Sequence, residues 1–389
     1  MRKIKLGIIG YGNMGTSHAD KILKGKCPDI ELVAIADHKP PRIEAAKEVF
    51  GEEVKYFLNA IEMLDSGVID SCLVAVPHYD HTYFAIECLK RGIHVMVEKP
   101  AGVYTKQVEE MNAEAKKHPD VVFGMMFNQR TNGLYRKMRE LVQSGKYGEI
   151  RRTNWIITNW YRSQAYYNSG DWRATWAGEG GGVLLNQCPH QLDLWQWICG
   201  MPVKVLAKLK YGKWHDIEVE DDVTAFVEYA NGATGAFITS TGDGCGTNRF
   251  EVQMDKAKIV VENGKLTLCE FAMSEQEFSA TNERPFASIP NTKIEVETDG
   301  LNPQHVGVLN AFADKILGKG ELVAEGYEGI NALTISNAMH LSDFLGKEIE
   351  LPIDADLYEK ELMKRVKTSK RVKDTVEVFE DNSSSFGSV

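Results

Sequence analysis

Residues 10–15, GYGNMG, leave few folds open to this chain, because they join a strand-like segment to a helix-like one. The apolar run KIKLGIIG precedes them, and TSHADKILKG follows with helical character. In a G-x-G-x-x-G turn, Gly10 permits the tight turn, Gly12 lets the backbone approach a pyrophosphate, and Gly15 lets helix and strand pack closely. The phosphates would meet free N–H groups at the positive end of the helix. The spacing therefore predicts a dinucleotide-binding βαβ unit.

A carboxylate follows this turn at the distance expected of a ribose-binding acid. The second strand-like segment, IELVAIAD, ends at Asp37, roughly twenty residues beyond the glycines. A carboxylate accepts hydrogen bonds from a ribose 2′-hydroxyl and repels a 2′-phosphate, so NAD is favoured over NADP. His38, Lys39 and Arg42 soften that preference. The cofactor contacts predicted from this segment are Gly10, Tyr11, Gly12, Asn13, Met14, Gly15 and Asp37.

Strand-like and helix-like segments continue to alternate up to residue 125. The strands SCLVAV, IHVMVEKP and VVFGMMF are apolar on both faces, which indicates a parallel sheet in a doubly wound α/β Rossmann domain over residues 1–125. Ligands of such sheets bind beyond the carboxyl ends of the strands. Two of those ends carry polar groups, which complete the predicted cofactor contacts: Pro77, His78, His81, Glu98 and Lys99.

These polar groups also have plainer interpretations. The histidines of VPHYDH would cap the following helix, and Lys99 would be an exposed loop lysine. The position of Lys99 favours a functional role, because it stands at a strand's carboxyl end, where the nicotinamide should lie, and precedes Pro100.

After residue 125 the pattern changes, and residues 126–389 are predicted to form an α+β domain with a largely antiparallel, open sheet. Asn231-Gly232 and Asn263-Gly264 each stand between alternating runs, which is the sequence pattern of a tight hairpin. One face of that sheet must be covered by helices or by another subunit, so we expect a homodimer or homotetramer. The tail DNSSSFGSV is predicted to be flexible.

Composition argues against several classes of partner. The net charge of −10 provides no basic surplus for nucleic acid or an anionic membrane surface. The longest apolar runs are strand-sized, so no membrane span is expected. The seven cysteines are scattered and form no C-x-x-C pair, so neither a disulfide framework nor a metal site is predicted. These features favour a reduced, cytoplasmic protein.

The stretch GGGVLLNQCPHQLDLWQWICG, residues 180–200, contains the strongest candidate for a proton-transfer group. Pro189 suits a first helical position and Gly200 suits the position after the last, which predicts a helix over 189–199. His190 then lies in the first turn, where the helix dipole disfavours the imidazolium and keeps the ring neutral. Asp193 either orients the imidazole or serves as a first-turn acid. The plain alternative is a core histidine beside a tryptophan stripe.

Five motifs follow one another in this order: GYGNMG, VPHYDH, EKP, FNQR and the glycine-rich, histidine-bearing helix. On these motifs, the chain resembles the glucose–fructose oxidoreductase/inositol dehydrogenase/rhizopine-catabolism (Gfo/Idh/MocA) family over residues 1 to about 350. The resemblance implies a nicotinamide dinucleotide on the first domain and a polyol or pyranose between the domains. It also implies catalysis by Lys99 and His190. This family usually has an aspartate where this chain has Asn186, and an amide cannot accept a proton. Asn186 remains a candidate for orienting the substrate.

Oxidation of a secondary alcohol needs a base within hydrogen-bond reach of the hydroxyl, and histidine suits neutral pH. We predict His190 as that base and Lys99 as the cation that stabilises alkoxide character. Six of the seven tryptophans lie between 155 and 197, where they form either a sugar platform or an interface. The predicted carbohydrate contacts are Asn128, Arg130, Trp160, Arg162, Tyr166, Tyr167, Trp172, Arg173, Asn186 and His190.

Three functions follow from these observations. The first is an NAD-dependent dehydrogenase of a sugar, glycoside or inositol. The second is a glycosidase that uses NAD without net redox change. The third is a non-catalytic regulator that binds a dinucleotide, although the presence of both Lys99 and His190 argues against it.

Overall fold

The N-terminal half of the computed structural model, which describes residues 2–370, is a parallel sheet between two helical layers. The predicted flexible tail therefore lies outside the described residues. The strands are β1 (Ile4–Ile9), β2 (Ile30–Ala36), β3 (Lys55–Phe57), β4 (Ser71–Val74), β5 (His94–Val97) and β6 (Phe123–Met125). The helices are α1 (Asn13–Leu23), α2 (Pro40–Phe50), α3 (Ala60–Asp65), α4 (His81–Lys90) and α5 (Thr105–Ala115).

The strand order β3-β2-β1-β4-β5-β6, with every pair parallel, confirms the predicted doubly wound sheet. Its central strands are apolar on both faces because each face is covered. Leu73 and Met96 pack into one core, whereas the neighbouring Val74 and Val95 pack into the other. The order reverses between β1 and β4, and a crevice opens beyond the carboxyl ends at such a point.

The C-terminal half forms a second sheet with its own helices. Its strands are β7 (Ile150–Ile157), β8 (Lys204–Tyr211), β9 (Glu220–Glu228), β10 (Thr234–Ser240), β11 (Asn248–Met254), β12 (Ala257–Glu262), β13 (Lys265–Phe271), β14 (Asn291–Glu295) and β15 (Ile349–Glu350). Its helices, together with one that returns to the first sheet, are α6 (Gly133–Gln143), α7 (Gln164–Asn168), α8 (Pro189–Cys199), α9 (Glu275–Thr281), α10 (Gln304–Ile316), α11 (Gly329–Leu345) and α12 (Ala355–Val366).

The order of this sheet is β14-β13-β12-β11-β7-β10-β9-β8-β15, and only the β7–β10 pair is parallel. The prediction of a largely antiparallel sheet is confirmed. Both predicted hairpins form, since Asn231-Gly232 joins β9 to β10 and Asn263-Gly264 joins β12 to β13. Helices α6 and α11 pack against one face, and α8 packs against both of them, with its Trp195 stacked on Phe237 of β10. There Trp155 stacks on Phe250, with ring centroids 4.2 Å apart.

Helix α10 returns from the far end of the chain to the first sheet. Its residues Val308, Leu309 and Phe312 are buried in the same core as Ile4 and Leu6. A segment distant in sequence therefore completes the layer over β1.

The division of the chain at residue 125 stays a prediction. Among residues 2–370, no helix combines the length and apolarity needed to cross a bilayer.

Candidate functional site

A large cavity of about 1750 Å³ opens at the carboxyl edge of the first sheet and is lined by both halves of the chain. Most of the predicted site residues share this cavity, which brings groups more than 170 residues apart in sequence into one space. The predicted residues on its wall are Gly10, Gly12, Asn13, Met14, Asp37, Pro77, His78, His81, Glu98, Lys99, Trp160, Arg162, Tyr166, Trp172, Arg173, Asn186 and His190.

The glycine turn has the shape that a pyrophosphate requires. Gly10 has φ +94°, and a Cβ there would lie 2.4 Å from the carbonyl oxygen of Ala75. A Cβ on Gly15 would lie 1.9 Å from the carbonyl oxygen of Gly10, so Gly15 is a packing glycine and lies off the cavity wall. A Cβ on Gly12 would lie 3.5 Å from its nearest neighbour, an atom of the Arg42 guanidinium, so this backbone is open to the cavity.

The first turn of α1 is available to an anion. Its N-cap is Gly12, no side chain caps it, and it contains no acidic residue. The first N–H groups of a helix lack intrahelical acceptors, so those of Asn13 and Met14 suit phosphate oxygens. The residues present therefore fit a dinucleotide.

Asp37 is buried at the end of β2 and holds the turn in place. Its carboxylate accepts hydrogen bonds from the backbone N–H groups of Tyr11 and Lys39, at 2.8 and 2.9 Å. The guanidinium of Arg42 donates to the same carboxylate at 3.1 Å. Tyr11 does not line the cavity, and its backbone N–H donates to Asp37. Asp37 therefore lies on the cavity wall beside a cation, and its contact with a ribose stays a prediction.

The EKP stretch gives its two charged side chains different surroundings. Glu98 and His18 are buried together, with His18 Nε2 2.6 Å from Glu98 Oε1. Burial raises the pKa of Glu98, but the hydrogen bond and charge of His18 outweigh it and lower that pKa to about 2. Lys99 turns to the cavity, where its ammonium donates to the backbone oxygen of Asn186 at 2.9 Å. Burial lowers the pKa of Lys99 below its ordinary value.

His190 lies in the first turn of α8, which begins and ends as predicted. Its side chain is buried on the cavity wall. Neither ring nitrogen has a hydrogen-bond partner among the described residues. Burial, and next the positive charge of Lys99, hold the pKa of His190 well below its ordinary value. The low pKa favours the neutral imidazole at pH 7, and both ring nitrogens are buried without a partner among the described residues.

Asn186 is backed by a carboxylate that the sequence analysis missed. The amide Nδ2 of Asn186 donates to Oε1 of Glu179, which is buried. Oε2 of Glu179 accepts the backbone N–H of Ala174 at 2.5 Å. Burial raises the pKa of Glu179 above its ordinary value. The sequence carried no signal for this role, because a carboxylate between glycines is ordinarily an exposed loop residue.

Arginines and aromatic rings form the cavity wall on the C-terminal side. Tyr166 lies between two guanidinium groups, with Arg162 at 5.2 Å and Arg173 at 4.6 Å from its ring centroid. Arg162 also lies over Trp160, and Arg173 lies over Trp172. This wall combines flat apolar rings with cationic donors, which suits a ring with C–H faces and hydroxyl groups.

The other four tryptophans of the cluster have structural surroundings instead. Trp155 and Trp195 are buried against the second sheet, and Trp176 packs beside His340 and Phe344. Trp197 lies beneath two guanidinium groups outside the cavity. Two of the six clustered tryptophans, Trp160 and Trp172, therefore line the cavity.

Three predicted substrate contacts do not reach the cavity: Asn128, Arg130 and Tyr167. Arg130 forms a buried bidentate ion pair with Asp193, at 2.8 and 2.7 Å, and also contacts Glu328. Asp193 therefore pairs with Arg130 and does not orient His190, and the first turn of α8 contains no acidic residue, so both interpretations of Asp193 were wrong. Tyr167 is buried and its hydroxyl lies 2.7 Å from Thr241 Oγ1. The amide of Asn128 donates to Gln304.

His78 and His81 hold loops at the edge of the cavity. The ring nitrogens of His81 lie 2.6 and 2.8 Å from the carbonyl oxygens of Pro100 and Val76, so this ring joins the loops after β4 and β5. His78 Nδ1 lies 3.3 Å from the backbone oxygen of Glu179, which connects the first sheet to the loop before Asn186.

Within the described part of the chain, no group of three His, Cys, Asp or Glu side chains could hold a metal ion.

Comparison with known proteins agrees with this geometry. Residues 4–125 match the family model "Oxidoreductase family, NAD-binding Rossmann fold", and residues 135–260 match "GFO/IDH/MocA C-terminal domain". Myo-inositol 2-dehydrogenase of Thermotoga maritima is 28% identical over 68% of this chain and 77% of its own. D-glucoside 3-dehydrogenase of Escherichia coli is 25% identical over 90% of this chain and 97% of its own.

A solved structure supports the fold over most of the chain. The WlbA dehydrogenase of Bordetella pertussis, crystallised with NADH and UDP-GlcNAcA, has a TM-score of 0.76. It is 24% identical and covers 91% of this chain and 100% of its own. The two family models, the dinucleotide cradle and the order of both sheets lead to one assignment: this chain belongs to the GFO/IDH/MocA family of NAD-binding oxidoreductases.

Proposed function

We propose that this protein is an NAD-dependent dehydrogenase that oxidises a secondary hydroxyl group of a sugar, glycoside or inositol. The observation that carries the proposal is His190, a buried, neutral imidazole whose ring nitrogens have no hydrogen-bond partner among residues 2–370. A core histidine would be satisfied by its neighbours, whereas a base needs at least one ring nitrogen free to accept the substrate proton.

His190 accepts the hydroxyl proton as the alcohol is oxidised. NAD, when bound in the first domain, supplies the acceptor for the hydride that leaves the carbinol carbon. The low pKa of His190 keeps the ring in its accepting form at neutral pH. Once protonated, the buried ring passes this proton to solvent through the open cavity, because the imidazolium is disfavoured beside Lys99.

Lys99 orients the hydroxyl and stabilises negative charge on its oxygen. The ammonium has three N–H donors, and one of them is held by the backbone oxygen of Asn186. That hydrogen bond directs the group across the cavity toward the C-terminal wall. Donors placed where charge develops stabilise the transition state without reorganisation.

NAD is the cofactor we propose over NADP, because the Asp37 carboxylate faces the ribose end of the cradle. The ion pair with Arg42 neutralises part of that charge and supplies a donor nearby. The substrate class rests on the arginine–aromatic wall and on the inositol and glucoside dehydrogenases among the relatives.

The first experiment measures NADH absorbance with NAD, and separately with NADP, against inositols, aldoses, anhydrosugars and alkyl glucosides. NADH formed with one ring class establishes the dehydrogenase. Aryl glycoside cleavage without net NADH would replace it with the redox-neutral glycosidase. A protein that binds NADH yet neither oxidises nor cleaves any substrate would be a regulator.

The pH profile of kcat/KM should have both limbs displaced to lower pH. His190 is active when neutral, and its pKa lies below the ordinary 6.5, so activity stays constant near pH 7 and falls only below pH 6.5. Lys99 is active as a cation, and its pKa lies below 10.5, so the alkaline limb begins below pH 10.5. In Lys99→Arg the alkaline limb should move out of range, because a guanidinium stays charged. An acid limb at or above pH 7 would contradict the assignment of His190.

We also propose that the open face of the second sheet is a contact between copies of this chain. Leu206 and Phe226 are cross-strand neighbours on β8 and β9, and Ile156 lies on the same sheet on β7. All three are large hydrophobics at least 36% exposed. Phe226→Asp should lower the mass measured by light scattering toward that of one chain. Phe286→Asp, in an exposed loop, is the control and should leave the mass unchanged. A wild-type protein with the mass of one chain at micromolar concentration would contradict the proposal.

A further inference from the structure

The amide of Asn186 is held in one orientation by its surroundings. Its Nδ2 donates to Glu179, and its backbone oxygen accepts from Lys99. A side-chain amide has one donating and one accepting end, so engaging Nδ2 leaves Oδ1 as the free end. Asn186 lies on the cavity wall. Among the described residues, its Oδ1 is not one of the buried polar atoms that lack a hydrogen-bond partner. Asn186 therefore offers the cavity Oδ1 as an acceptor, with its Nδ2 held toward Glu179.

Glu179 is itself fixed from three sides. Its carboxylate accepts the N–H of Ala174, and its own N–H donates to the backbone oxygen of Thr175 at 3.0 Å. Its backbone oxygen lies 3.3 Å from Nδ1 of His78, a residue of the first domain's cavity edge. The carboxylate is buried and cannot contact substrate directly, because Asn186 stands between it and the cavity.

We propose, on the basis of the function proposed above, that Glu179 is a positioning residue for catalysis. It holds Asn186 Oδ1 toward the cavity, where Oδ1 accepts a hydrogen bond from a hydroxyl of the carbohydrate or polyol. The Lys99–Asn186–Glu179 chain then presents a cationic donor and a neutral acceptor side by side. A vicinal diol matches this pair, since one hydroxyl accepts from Lys99 and its neighbour donates to Asn186.

A double-mutant cycle tests this role. Glu179→Gln keeps the size of the side chain but can present an N–H₂ group to Asn186, which removes the preference for one amide orientation. We expect KM for the polyol to rise about tenfold, the size of one lost hydrogen bond of roughly 1.4 kcal/mol. The dissociation constant of NADH should stay unchanged, because Glu179 does not line the cradle. In the Asn186→Ala background, Glu179→Gln should have no further effect on KM.

The pH profile supplies a readout that a purely structural role would not move. Asn186→Asp places two carboxyl groups in contact. Ionising both would put two negative charges side by side, so the pKa of the pair is raised. This variant should acquire a new pH dependence of kcat/KM that wild type lacks. The exchange variant Glu179→Gln/Asn186→Asp again contains one carboxylate and one amide. It should lose the new pH dependence of kcat/KM.

The outcomes separate this inference from the proposed function. If wild type oxidises no polyol, the proposed function fails before any variant is made. If wild type is active but Glu179→Gln has wild-type KM, Glu179 does not position Asn186. Additive effects in the cycle would likewise overturn the inference. Should Glu179→Gln fail to fold, the Asn186→Asp profile still decides. A new transition above the ordinary carboxyl range supports contact with Glu179, whereas one within that range, or none, would overturn the inference.

Discussion

His190→Ala should lower kcat by about 10²–10⁴-fold, the usual contribution of a positioned general base, while NADH binding stays as in wild type. The imidazole is the unpaired, neutral group on the cavity wall, and its removal leaves the hydroxyl proton without a nearby acceptor. Steady-state NADH formation at saturating substrate measures kcat, and a fluorescence titration measures NADH binding. Added imidazole should restore part of the lost rate, since the truncated side chain leaves space at the same position.

The matched control is His118→Ala. His118 pairs with Glu114 at the end of α5, away from the cavity, so its removal should leave kcat within about twofold of wild type. A His190→Ala enzyme with wild-type kcat would show that the buried ring is a packing residue. Equal losses in both variants would indicate general destabilisation.

Gly10→Ala should abolish measurable NADH binding and destabilise the protein more than an ordinary glycine substitution. The positive φ of Gly10 costs an L-residue roughly 1–2 kcal/mol. Its Cβ would also lie 2.4 Å from the backbone oxygen of Ala75, which cannot move without displacing the loop after β4. That loop lines the cofactor cavity. Urea unfolding and NADH titration measure the two effects.

Gly25→Ala is the control for backbone strain alone. Gly25 has φ +69°, and no atom lies within 4 Å of the position of its Cβ. This variant should lose roughly 1–2 kcal/mol of unfolding free energy and bind NADH normally. The difference between the two variants isolates the steric contact with Ala75. Normal NADH binding by Gly10→Ala would contradict the proposed geometry of the cradle.

Much of the architecture was predictable because it depends on neighbours in sequence. The glycine turn, the hairpins at Asn231 and Asn263, and helix 189–199 each follow from backbone preferences of residues within a few positions. Asp37 and Lys99 were predictable as cavity residues because parallel strands end at a common edge. His190 was predicted from its place in a helix and from the family resemblance.

Other features depended on partners that no local pattern indicates. Arg130 was predicted to contact the carbohydrate, and Asp193 either to orient His190 or to serve as a first-turn acid. The two instead form a buried ion pair, because neither charge is stable in the interior without the other. Two of six clustered tryptophans line the cavity, and the local sequence does not distinguish them from the four that pack elsewhere. Glu179 was missed because its partner, Asn186, lies across a glycine loop.

Local sequence thus accounted for the two types of sheet, the glycine turn and the helix that places His190 in its first turn. Tertiary structure decided which charged groups face the ligand and which neutralise one another. It also placed α10 over the first sheet and Glu179 behind Asn186. The physical reason is that backbone conformation is set mainly by nearby residues, whereas burial and charge pairing depend on which distant segments meet.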